Sequence, residues 1–216
     1  MSFVNTWTTI RRRRLPLAFK LLLAMIETAL LEKKKGKVTW EEFRNMELDD
    51  NDPYIYELLN GIIVKRTTPS LIHQQVVGNL LTDIINFLRK NPLGQAYAFP
   101  VDVVFDNHNA FHHDLSFVTK ERSFLYEDGD YIKGAPDLIV EIISPGNVRR
   151  DRKEKKDICQ QFAVREYWLI DPLSQTIEIY VMRDNDYQLH DFLEQTGKAT
   201  STVLTGFELE ISTLFS

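Results

Sequence analysis

An α/β fold is predicted for this 216-residue chain by three features. An amphipathic helical stretch precedes a series of apolar strand-like runs, one of those runs is apolar on both faces, and a second helical stretch separates it from the next strand. That second helix permits a crossover to a parallel neighbour, which a short turn could not provide.

In chain order, residues 1–37 form an extension of mixed basic and apolar character, expected to be helical. Four arginines at 11–14 are followed by LPLAFKLLLAMIETALL and then KKKGK. Leu21, Leu22, Met25, Ala29 and Leu30 gather near one helical face, as in an amphipathic helix. Lys20 and Glu27 interrupt the stretch, which makes it too charged to span a bilayer and argues against a signal peptide. From Val38 to Ser216 the chain reads as a single domain. Thr39 with Glu42 has the capping-box spacing, so TWEEFRNM is expected to start a short helix. YIYELLNGIIVKR sets Asn60-Gly61 between two apolar runs, a hairpin signal because both residues tolerate positive φ. From Leu71 to Lys90, Val76, Val77, Leu80, Leu81, Ile84, Ile85 and Leu88 recur at three-and-four spacing, with Ser70 placed as N-cap.

Strands follow at residues 98–106 (AFPVDVVFD), 113–119 (HDLSFVT) and 136–144 (PDLIVEIIS). The third, apolar on both faces, suits a central strand. Residues 151–163 read as a helix and EYWLIDP at 166–172 as a further strand, ended by Asp171-Pro172. TIEIYVMR and YQLHDFLE alternate as a C-terminal hairpin, and TVLTGFELEIS closes the domain.

Composition narrows the function classes. With 26 Lys and Arg against 31 Asp and Glu, the formal charge is −5. Nucleic acid would therefore have to be met by local basic clusters, of which there are three: residues 11–14, 33–37 and 149–156. The single cysteine, Cys159, can form no internal disulfide and has no thiolate partner for zinc, so a cytoplasmic setting is expected and zinc-finger chemistry is excluded.

Acidic residues inside apolar strands demand explanation, because a buried carboxylate is costly unless paired or bound to a cation. Asp137 and Glu141 share a strand face with Ile139 and Ile143. Four residues apart, they are separated by about 13 Å, too far to grip one small ion directly. Asp137, beside Pro136, is read as shaping the turn into the strand. Asp114, at the start of the preceding strand, is the better partner for Glu141, since neighbouring strands lie about 4.8 Å apart. Two hard oxygen ligands suit Mg2+ or Mn2+.

The ordered set YELLNG, HDLSFV, GAPDLIVEIISP, DRKEK and VREYWLIDP resembles the Uma-type endonuclease family of the PD-(D/E)XK superfamily, from about Val38 to Phe215. The resemblance implies a restriction-endonuclease-like core of helix, three strands, helix and strand, with N-terminal and C-terminal β-hairpins added. It implies that Asp114 and Glu141 are catalytic and bind the metal. The usual strand lysine falls on Ile143, and His113 replaces the usual proline before Asp114. Asp151 and Lys155 match the family's Asp and Lys four apart in the next helix, which resembles a migrated lysine. Lys155 also shares the core-facing stripe with Asp151, Ile158, Cys159 and Phe162, whereas Lys153 and Lys156 do not. Cys159 and Ala163 replace the family's Tyr and Gly, a packing change expected to be tolerated. His73 matches a histidine common in the family, although its position on an apolar stripe is also explained by packing. His73 and Asp151 are candidates for supporting the metal site, and Tyr167 and Trp168 for packing.

The implied function is Mg2+-dependent hydrolysis of DNA by a metal-activated water, with Asp114, Glu141 and Lys155 as the working residues. Arg149, Arg150, Arg152 and Lys153 would contact flanking phosphates. A homodimer would suit double-strand cutting, and no membrane partner is expected. The alternative is a catalytically inactive module of the same fold that binds nucleic acid or protein, motivated by Ile143 in the lysine position.

Overall fold

The computed structural model describes residues 36–47, 52–127, 129–144 and 150–216. The chain divides into two compact units, residues 1–37 and 38–216. The helix expected in the first unit lies outside the described residues.

In the second unit the local signals act as their chemistry dictates. Helix α1 (Trp40–Arg44) starts at a reciprocal capping box, in which Thr39 Oγ1 accepts from the Glu42 N–H and Glu42 Oε2 accepts from the Thr39 N–H. Strands β1 (Ile55–Leu59) and β2 (Ile62–Arg66) turn at Asn60, φ 53°, and Gly61, φ 77°. These are the paired positive angles that a two-residue hairpin requires. Helix α2 (Leu71–Lys90) begins at Ser70, whose hydroxyl accepts from the His73 N–H, and it buries His73, Val76, Val77, Leu80, Ile84 and Leu88.

Eleven further strands follow: β3 (Gly94–Ala98), β4 (Asp102–Asp106), β5 (Asn109–His112), β6 (Leu115–Thr119), β7 (Ile132–Lys133), β8 (Leu138–Ile142), β9 (Glu166–Asp171), β10 (Thr176–Arg183), β11 (Asp186–Glu194), β12 (Lys198–Thr200) and β13 (Glu208–Glu210). A six-stranded sheet has the order β11-β10-β9-β8-β6-β3, a five-stranded sheet the order β2-β1-β5-β4-β7, and β12 pairs with β13. Strand β8 lies centrally and is buried throughout, antiparallel to β6 and parallel to β9. Its alternation feeds two cores. Leu138, Val140 and Ile142 pack with α2, Trp168 and the C-terminal Leu204 and Phe207, while Ile139 and Ile143 pack with Phe111, Ile158, Cys159 and Tyr167. Leu80 and Ile84, fully buried on α2, contribute about 1.5–3 kcal/mol each.

Three expectations are corrected. The run at 98–106 is two strands in different sheets: β3 ends at Ala98, and β4 begins at Asp102 beyond Pro100, which has no N–H for a ladder. β3 also begins earlier than expected, at Gly94, where a Cβ would stand 2.1 Å from Val118 O. The helix expected over 151–163 opens with a π-wound segment (Arg150–Lys155) and is α-helical only as α3 (Lys156–Gln161). Finally, Ala163 is not a packing position. It lies at φ 56°, where the Ala163 N–H reaches Gln160 O and the Val164 N–H reaches Cys159 O. That is a Schellman ending, a position that favours glycine.

Candidate active site

The end of the β6–β8 ladder, the hairpin, α2 and the π-wound segment converge on one buried group of charges. Leu115 pairs with Val140 at the end of the ladder, so Asp114, just before β6, is brought beside Glu141 of β8. Asp114 Oδ2 accepts the Ile142 N–H at 2.7 Å and meets His73 Nε2 at 3.0 Å, and Oδ1 lies 3.5 Å from Arg66. Glu141 Oε1 lies 2.5 Å from His113 Nδ1 and 3.1 Å from Lys155 Nζ. Neither contact uses Oε2. Lys155 Nζ also donates to His112 O at 2.8 Å and pairs with Glu57 Oε1 at 3.2 Å, the oxygen that Arg66 approaches at 3.3 Å.

The sequence-read residues Asp114, Glu141, Lys155, His73 and Asp151 are thus brought together, all buried. Asp151 is fixed through its carbonyl, which accepts from Tyr167 OH at 2.9 Å. Wide winding of the segment does not remove Lys155 from the core, where its ammonium also lies 5.5 Å from the Phe111 ring centre. The basic cluster is placed differently. Arg152 is 2.5 Å from Glu178 and 3.7 Å from Asp171, and Lys153 is exposed beside Asp157. Arg149 and the side chain of Arg150 lie outside the described residues. Asp137 is separate from the site, buried and matched by Arg122, Arg165 and the Thr119 N–H.

Glu57 and Arg66 are the members that reading the sequence missed. Glu57 sits within YIYELL, the same signal of an acid in an apolar strand that singled out Glu141. Arg66 is reached only through the hairpin register, which pairs Ile55 with Arg66 and sets Glu57 diagonally opposite it.

Electrostatics follow from burial. Burial raises the Glu141 carboxyl to about 7 despite Lys155. Burial, then the charge of Glu141, raises Asp151 to about 7. Burial alone would raise Glu57 as well, but Lys155 and Arg66 hold it below the ordinary value. Asp114 is likewise held low against burial by His73, Arg66 and the Ile142 N–H. Lys155 is raised, because Glu141, Glu57 and Asp151 outweigh its desolvation.

These residues fit a divalent cation. Four buried carboxylates face two permanent cations, Arg66 and Lys155, and Glu57 Oε2 is buried without a hydrogen-bond partner. Among the described residues no group of three or more His, Cys, Asp or Glu side chains is arranged to hold a metal ion. An ion on Asp114 and Glu141 would therefore keep several waters, as Mg2+ does with one or two carboxylates.

Similar proteins agree with this architecture. The crystal structure of a putative nuclease belonging to DUF820 from Anabaena variabilis superposes with a TM-score of 0.66 at 22% identity, covering 82% of this chain and 97% of that one. No curated protein matches the chain. Among the described residues no helix is long and apolar enough to cross a membrane. The family model of Uma2, described as a putative restriction endonuclease, matches residues 40–212, so the chain belongs to the Uma2 family.

Proposed function

We propose that this protein is a divalent-metal-dependent DNA endonuclease. The observation that supports the reading best is the meeting of Asp114, Glu141 and Lys155 in one buried, acid-rich site, with the Lys155 ammonium 3.1 Å from Glu141. Asp114 and Glu141 would hold Mg2+ or Mn2+. When bound, the ion supplies a Lewis acid for the phosphoryl oxygen and lowers the pKa of an attacking water. Arg66, His73 and the Ile142 N–H would keep the Asp114 carboxylate ionised and fixed. Lys155 would neutralise charge developing on phosphorus. Its hydrogens are engaged by Glu141, Glu57 and His112 O, so it would exchange one of these for a phosphoryl oxygen. Flanking phosphates would be met by Arg149, Arg150 and Lys153, whereas Arg152 is already paired with Glu178 and Asp171; a homodimer would serve double-strand cutting, with the cytoplasm as the setting. A second reading, a non-catalytic DNA-binding module, is favoured by Ile143, which fills the superfamily's lysine position with a buried core side chain.

Retained metal binding with no cleavage of any DNA would support the second reading, and crystals soaked in Mn2+ test the metal site itself. The nuclease reading expects an anomalous peak shared by Asp114 and Glu141. Its absence at saturating Mn2+ would refute the metal site.

A further inference from the structure

We propose that His113 is a positioning residue for the metal-binding carboxylate, its Nδ1–H holding Glu141 by Oε1 and leaving Oε2 to the ion. This rests on the nuclease reading above and adds to it a buried residue that touches the carboxylate.

The geometry restricts the ring to this role. His113 is buried, its ring centre 4.8 Å from that of Phe111 and 5.9 Å from that of Phe105, both edge-on. Two aromatic walls leave little room for it to swing. Nδ1 stands 2.5 Å from Glu141 Oε1, while Nε2 is buried with no partner. An ionised carboxylate only accepts, so with Glu141 ionised, as an ion's ligand must be, the proton belongs on Nδ1. The other tautomer would turn a lone pair toward the carboxylate and bury an unsatisfied N–H, costing about 1–3 kcal/mol.

The Lys155 ammonium shares Oε1 with His113, and the two donors reach Glu141 from different elements. Lys155 comes from the π-wound segment and His113 from the link between β5 and β6. Held by one oxygen from two directions, the carboxylate cannot rotate without breaking a buried hydrogen bond. Its second oxygen is thereby committed before any ion arrives, which lowers the cost of binding.

Asn and Leu at position 113 have similar size, and the Asn amide nitrogen is bonded to the chain as Nδ1 is. Only Asn can donate. His113→Leu is expected to weaken Mn2+ binding, followed calorimetrically without DNA, about tenfold or more, as loss of a ligand's supporting hydrogen bond does. His113→Asn is expected to stay within about threefold of wild type. Equal Mn2+ affinity in wild type and His113→Leu would overturn the positioning role while leaving the metal site intact, as would an Asn variant as weak as Leu. A wild type that binds no Mn2+ would overturn the metal reading and this role together. Long-range 1H–15N NMR of the wild type tests the contact even if the variants fail to fold. A ring protonated at Nδ1 is expected, and a proton on Nε2 alone would overturn the proposal.

Discussion

Removing the charge of Lys155 tests the buried network directly. Lys155→Met keeps most of the stem and deletes an ammonium that touches Glu141, Glu57 and His112 O. Arg66 alone would then face Glu57, Asp114, Glu141 and Asp151, and breaking a buried pair by removing one partner costs about 3–5 kcal/mol. For a domain of this size that predicts a melting temperature lower by about 6–20 °C. Thermal unfolding followed by circular dichroism reads the shift. Adding Glu57→Gln removes a carboxylate that lost its cation, and the double variant should recover part of the loss because the two residues are directly coupled. A Lys155→Met protein melting within about 2 °C of wild type, about 0.5–1 kcal/mol at this size, would refute the network. So would a double variant whose losses simply add.

The remaining predictions concern positions around the site. Ala163→Gly relieves a left-handed backbone at the end of α3 and should stabilise by about 0.5–1 kcal/mol, seen as a melting temperature higher by about 1–4 °C; a decrease would contradict the Schellman ending. Asp137→Asn breaks buried contacts to Arg122, Arg165 and the Thr119 N–H and should destabilise by about 2–4 kcal/mol at neutral pH. Burial pushes the Asp137 carboxyl up, but the Thr119 N–H and Arg122 hold it lower than the ordinary 3.8. Its contribution is therefore present above 3.8 and lost as pH falls through the lower folded value, so melts against pH should show variant and wild type converging only in strong acid. Arg152 is already paired with Glu178 and Asp171, so Arg152→Ala should leave the salt dependence of DNA binding nearly unchanged. Replacing Arg149 and Arg150 should lower the slope of log affinity against log salt by about 2, and equal slopes in all variants would remove this cluster from the DNA path.

Much of the site was legible because buried charge in an apolar strand is a strong signal. Asp114 and Glu141 were reached by that argument, and Lys155 through the resemblance, with the core-facing stripe it shares with Ile158 and Cys159 in agreement. Glu57 carried the same signal and was passed over, since a five-residue hairpin strand gave no second acid to pair it with. Arg66 was not legible at all, because its place depends on the register that sets it diagonally from Glu57. The strand break at 99–101 was marked by Pro100, but the apolar alternation on either side masked it. Nothing in RDRKEK distinguishes π winding from α, for all six are compatible with an ordinary helix. Ala163 read as a continuing helical residue, because its left-handed angle is imposed by the chain turning into β9.

The central claim is that Asp114 and Glu141 hold a metal ion that cuts DNA. Incubating supercoiled plasmid with purified wild type in Mg2+, in EDTA, and with Glu141→Gln in Mg2+ tests it most directly. The account predicts nicked and linear products from wild type in Mg2+ and none in the other two reactions. Cutting by Glu141→Gln at the wild-type rate, cutting undiminished in EDTA, or intact plasmid with wild type in Mg2+ would contradict it.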